Sequence, residues 1–104
     1  MTIQQFRDLL LSVHPNVFHA ESSKQSEYIV WRESGLKFFH GDNRIIEKGV
    51  YIRVDFFTKT EFSDIPERIL NVLDRQDEIA VCDVNSDYEP DTEYFRYYFL
   101  CEVI

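Results

Sequence analysis

Between residues 50 and 57 two kinds of side chain alternate without a break. Val50, Ile52, Val54 and Phe56 are apolar, and Tyr51, Arg53, Asp55 and Phe57 between them mix aromatic rings with charge. A period of two is the pitch of a β-strand, so the pattern predicts a strand over 45–58, the longest in the chain. Its first set needs an apolar layer laid against it. The second set is unusual for a face that only meets water.

Two helical patterns can supply that layer. Ile3, Phe6, Leu9, Leu10 and Val13 recur at three- and four-residue intervals, which lines one face of a helix. Thr2 and Gln5 have the spacing of a capping box, and Pro15 marks the stop. The second pattern places Ile65, Ile69, Val72, Leu73 and Gln76 on one stripe. Ser63 or Asp64 caps it, Pro66 fits its first turn, and Glu67 lies near the positive end of the helix dipole.

The polar, serine-bearing stretch 16–26 reads as a loop. Tyr28-Ile29-Val30-Trp31 predicts a short strand, with breaks around Ser34-Gly35 and Gly41-Asp42-Asn43. Two further strands, 78–86 and 93–104, are joined by Asp87-Tyr88-Glu89-Pro90-Asp91-Thr92, which predicts an antiparallel hairpin. Ala80, Cys82 and Val84 on the first strand match Phe95, Tyr97, Phe99, Cys101 and Val103 on the second. If paired residue numbers sum to an odd value, both sets share the core face and Cys82 and Cys101 become close core neighbours.

The expectation is a single α+β domain over residues 1–104, with two helices packed on one face of a mostly antiparallel four- or five-stranded sheet. The 104 residues suit one domain, and an aromatic content of 15% supplies a core without disulfides or a structural metal. Nineteen acids against eleven bases give a net charge of −8, which disfavours specific nucleic-acid binding and anionic membranes. The chain shows no run of about 20 apolar residues and its start has no signal-peptide pattern, so it reads as made in the cytoplasm.

No residues stand out as catalytic, cofactor-binding or metal-binding. His14, His19 and His40 lack the i, i+4 helical spacing of a zinc site and read as helix-terminal or loop residues. Residues 77–93 carry seven acids and no base, but Asp83-x-Asn85-x-Asp87 continues with Tyr88 where a calcium loop requires glycine. Cys82 and Cys101 lie on apolar strand faces, where burial suppresses thiolate. What remains is the second sheet face. Tyr51, Arg53, Asp55 and Phe57, with Tyr94, Arg96 and Tyr98 on the last strand, have the composition of a protein interface.

In this order of elements the chain resembles the tail terminator (tail completion, minor capsid) proteins of long-tailed bacteriophages and prophages. The resemblance is carried by Tyr28-Ile29-Val30-Trp31, Asp42-Asn43-Arg44 and Val50-Tyr51-Ile52-Arg53-Val54-Asp55-Phe56-Phe57-Thr58-Lys59. The helix over 65–73 and Tyr94-Phe95-Arg96-Tyr97-Tyr98-Phe99 follow in the same order. It implies a non-enzymatic virion subunit, assembled in the bacterial cytoplasm, that closes into a ring, usually hexameric, at the head-proximal end of the tail. The implied partners are the tail-tube protein, the head–tail connector protein and further copies of the chain, with no cofactor. The alternative from composition is a small acidic inhibitor or DNA mimic that binds another protein. Under the ring reading Arg53→Glu is expected to block assembly while the melting temperature stays unchanged.

Overall fold

The computed structural model describes residues 1–41 and 44–104, with backbone alone for 37–41 and 44–48. Helix α1 (Ile3–Leu11) begins where the Gln5 N–H donates to Thr2 Oγ1 at 3.1 Å and the Thr2 N–H donates to Gln5 Oε1 at 2.8 Å. The capping box thus satisfies two of the amides that every helix start leaves without a partner. Helix α2 (Ile65–Asp74) follows Asp64, whose side chain makes no capping bond; the Ser63 hydroxyl accepts instead from the Ile65 N–H at 3.2 Å.

Five strands form one sheet: β1 (Val17–His19), β2 (Glu27–Gly41), β3 (Arg44–Thr58), β4 (Ile79–Glu89) and β5 (Tyr94–Val103), in spatial order β1-β2-β3-β5-β4. All neighbours are antiparallel except β1, which runs parallel to β2. The fold is therefore α+β with a mostly antiparallel sheet. Among the described residues no helix is long and apolar enough to cross a membrane.

Both helices lie on the face presented by Ile29 and Trp31 of β2, Ile52, Val54 and Phe56 of β3, and Phe99, Cys101 and Val103 of β5. Phe6 and Leu10 from α1 and Ile69 and Leu73 from α2 complete the core. Each of these side chains is essentially removed from water, which stabilises by about 1.5–3 kcal/mol per large aliphatic or aromatic residue. The centre of each expected stripe is buried, with Leu9, Val13, Ile65 and Val72 partly so, whereas Ile3 at the start of α1 is exposed; Val50 packs at the margin of the core.

The strands depart from expectation in three places. Within 16–26, read as a loop, residues Val17–His19 pair with Ile29–Trp31, and the Ile29 N–H donates to the Asn16 carbonyl at 2.8 Å. The break expected at Ser34-Gly35 is a bulge instead. Glu33 faces Ile52 and Gly35 faces Tyr51, so Ser34 is the extra residue and β2 continues past it. Gly35 sits at φ +156°, a backbone state that L side chains rarely adopt. Asp42 and Asn43, expected to form the second break, lie outside the described residues.

The third departure moves a cysteine out of the core. From Asp83↔Leu100 to Glu89↔Tyr94 the pairs sum to the expected odd value, and Val84 faces Phe99. A register shift between Val81 and Asp83 leaves Cys82 as the extra residue, and on the other side Val81 faces Cys101 and Ile79 faces Val103. Ile79 and Val81 thus take the core side, while Ala80 and Cys82 are exposed. A slip of one residue inverts every side chain beyond it.

Burial pushes the Cys101 thiol up to about 12 from its ordinary 9.0, with the nearby Cys82 adding to the rise. In the native protein Cys82 should be alkylated readily, and Cys101 only on unfolding; mass spectrometry of labelled protein checks this. The unfolded chain gives up the Cys101 proton near pH 9.0 and the folded chain holds it to about 12, so this contribution is intact below pH 9 and stability falls as the pH rises through that window. Cys101→Ala should flatten the decline in denaturation curves recorded across it.

Candidate subunit interface

The sheet face turned away from the helices is built by the same alternation that fills the core. The register sets Tyr28, Phe57, Arg96 and Asp87 in one row across β2, β3, β5 and β4, and Val30, Asp55, Tyr98 and Asn85 in the next. Arg32, Arg53, Leu100 and Asp83 form a third. Tyr51 lies one step further along β3, opposite Glu102, and Tyr94 lies opposite Glu89 at the other end. All seven expected interface residues therefore share this face.

Six of them, all but Tyr51, divide into two clusters. Tyr28 stacks on Phe57 with ring centroids 4.9 Å apart and 18° between planes, and Tyr94 meets both rings edge-on. The chain between β1 and β2 folds over this cluster, because the Tyr94 hydroxyl donates to the Gln25 carbonyl at 2.6 Å. Burial raises the Tyr28 phenol above its ordinary value, helped by Tyr94 and opposed by a hydrogen bond from the Ser23 backbone. This part of the face is a small second core.

The other cluster is electrostatic. Asp55 is only 7% exposed. The Arg53 Nε donates to its Oδ1 at 3.2 Å and the Arg96 Nη2 donates to the same oxygen at 3.4 Å. Both guanidiniums lie near the Tyr98 ring, at 5.0 Å and 4.8 Å from its centroid, where the ring quadrupole attracts them. One carboxylate thus holds two arginines, and the Arg96 Nε has no acceptor among the described residues. The two arginines remain partly exposed while Asp55 does not.

This geometry corrects the expectation for Arg53→Glu. The new carboxylate would lie against buried Asp55 in place of the bond it accepts, and like charges at that range repel strongly in a poorly solvated site. The variant loses stability as well as any contact.

Of the two histidines with described side chains, His19, read as a loop residue, lies on β1, and His14 lies just past the end of α1 as read but is buried there. The Asn16 N–H donates to His14 Nδ1 at 3.0 Å, which places the ring proton on Nε2, and Nε2 donates to Glu27 Oε1 at 2.9 Å. The Thr58 hydroxyl donates to the other Glu27 oxygen at 2.8 Å. Sequence spacing held no hint of this network, because its members lie on the α1–β1 connection, β2 and the end of β3. His19 stacks on Trp31 at 4.2 Å and bonds Glu33 at 2.9 Å, which holds the Glu33 carboxyl below its usual range. The His40 side chain lies outside the described residues.

Among the described residues no group of three or more His, Cys, Asp or Glu side chains converges on a metal-sized site. No protein-family model matches the chain, and no curated protein matches it.

Removing the shared carboxylate should cost more than removing an exposed one. Asp55→Ala leaves two adjacent guanidiniums unpaired and should lower unfolding free energy by about 2–3 kcal/mol. Asp87→Ala, on the exposed edge, should change it by less than about 0.5 kcal/mol. Urea denaturation of both variants measures the difference.

Proposed function

We propose that this chain is a structural, non-enzymatic subunit of the tail-terminator type, which closes into a ring at the head-proximal end of a phage tail and meets the tail-tube and head-connector proteins there. The observation that carries the reading is the ladder between β2 and β3. It continues from Lys37↔Gly49 to Gly41↔Arg44, beyond the last β5 partner at Val50↔Val103 and the last β1 partner at His19↔Trp31. Over that length no third strand pairs with the ribbon on either side among the described residues. Unpaired strand edges are templates for another polypeptide, and a chain 50 Å long but only 25 and 21 Å across is extended enough to reach one.

The partly exposed arginine–tyrosine cluster supports the same reading, since arginine and tyrosine are typical anchors of protein contacts. A head-to-tail interface that closes produces a ring, the natural match for a tubular partner. The acidic-inhibitor alternative is favoured by Asp83, Asp87 and Glu89, which alternate along the β4 edge, but Arg96 and Arg53 interrupt the negative field one and two strands away.

A chain in which 38–48 is replaced by a two-residue Asn-Gly turn tests the proposal, since the turn then joins the paired residues Lys37 and Gly49 and all core residues named above lie outside that segment. The shortened protein should keep its melting temperature within a few degrees and stop co-sedimenting with purified tail tubes. Tube binding equal to that of the parent would contradict the reading.

A further inference from the structure

The helix-free face carries a charge pattern with its own complement. β4 presents Asp83, Asp87 and Glu89 in one column, with Asn85 among them, and the acids are exposed except for half-buried Glu89. Arg96 on β5, in the row of Asp87, and Arg53 on β3, in the row of Asp83, form a diagonal positive band one and two strands inward, or about 5 and 10 Å at the usual strand spacing. The charged groups of this face also include Asp55, consumed by the two arginines, and Arg32 beside Arg53 on β2. Lys59 lies over the Tyr94 ring at 5.0 Å, and Glu102 lies opposite Tyr51.

The guanidiniums share a single carboxylate oxygen, and the Arg96 Nε has no acceptor among the described residues. The Arg96 Nε is itself buried, so what the two partly exposed guanidiniums can offer a second carboxylate is their remaining terminal Nη donors. A shallow hollow of about 130 Å³ lined by Arg53, Asp83, Tyr98, Phe99 and Leu100 lies between the acidic column and Arg53.

We infer that two copies of the chain pair face to face through this surface, about a two-fold axis parallel to the strands. That axis exchanges the acidic β4 side with the arginine side of the face, so the arginines of each copy meet the β4 carboxylates of the other. A two-fold axis across the strands would instead set arginine over arginine. Charge complementarity selects a second copy as occupant, because the surface that matches a negative column beside a positive band at this spacing is the same surface turned over. The inference rests on the reading of this face as a subunit contact and adds its partner: the pair is the unassembled form, which covers the face until the subunit joins a larger structure.

Sedimentation equilibrium of the full chain tests it, with Arg53→Gln, the double variant Asp83→Asn/Asp87→Asn, and all three changes together. Glutamine keeps a donor toward Asp55, and thermal melting checks that each variant is folded. The parent should form a pair that weakens as salt rises. Arg53→Gln and the double variant should each reduce association by about tenfold or more, and the triple variant should lose no more than the weaker of the two, because all of them break the same contact. A parent that stays monomeric, variants that pair like the parent, losses that multiply, or pairing indifferent to salt would each overturn the inference. A hexamer in free solution would overturn the pair and leave the ring reading standing. A pair that never binds tail tubes would leave the pair standing and remove the ring reading.

Discussion

Strand β3 is flanked on both edges and on both faces. Hydrogen bonding to β2 on one side and β5 on the other fixes its position, and from Ile52 to Phe57 every side chain is committed either to the core or to the opposite face. Ile52, Val54 and Phe56 supply the surface on which the helices rest. Arg53, Asp55 and Phe57 supply the centre of the helix-free face. A one-residue slip of this strand would bury two charges and expose the core set, so the core that stabilises the fold also holds the register of the arginine cluster.

That coupling explains why the helix-free face is ordered without helices over it. Part of it is closed by the β1–β2 connection over Tyr28, Phe57 and Tyr94. The rest is held by Asp55, whose buried carboxylate brings Arg53 and Arg96 together on the Tyr98 ring. Two like charges at such range repel, and the carboxylate and the ring offset the repulsion. A rigid arginine pair loses less side-chain entropy on binding than two free arginines would, which makes the cluster a better contact than its composition alone implies.

Much of this was legible in the sequence where periodicity is regular. The capping box of Thr2 and Gln5, the stripes through Phe6 and Leu10 and through Ile69 and Leu73, and the alternation of β3 all take the places their spacing predicts. Single-residue events were not legible. The bulges at Ser34 and Cys82 each insert one residue into an otherwise regular strand, and no local pattern marks Cys82, so Ile79 and Val81 displaced Ala80 and Cys82 from the core. β1 is three residues long and exists because β2 lies beside it. His14 is buried through partners 2 and 13 residues away in sequence, a relation that spacing rules do not encode. The shared face of Tyr51, Arg53, Asp55, Phe57, Tyr94, Arg96 and Tyr98 followed from alternation alone, whereas the bridging role of Asp55 required the register between β3 and β5.

On the ring reading, the β2–β3 ribbon edge left open among the described residues and the patterned face are the two surfaces through which this chain would join a larger assembly. Whether they serve a tail end is decided most directly by electron microscopy of phage tails carrying the protein with a gold-binding label. The ring reading predicts label at one end of the tube only, the head-proximal one, with density of rotational symmetry matching the tube. Label along the whole tube, at the distal end, or absent from purified tails would contradict it.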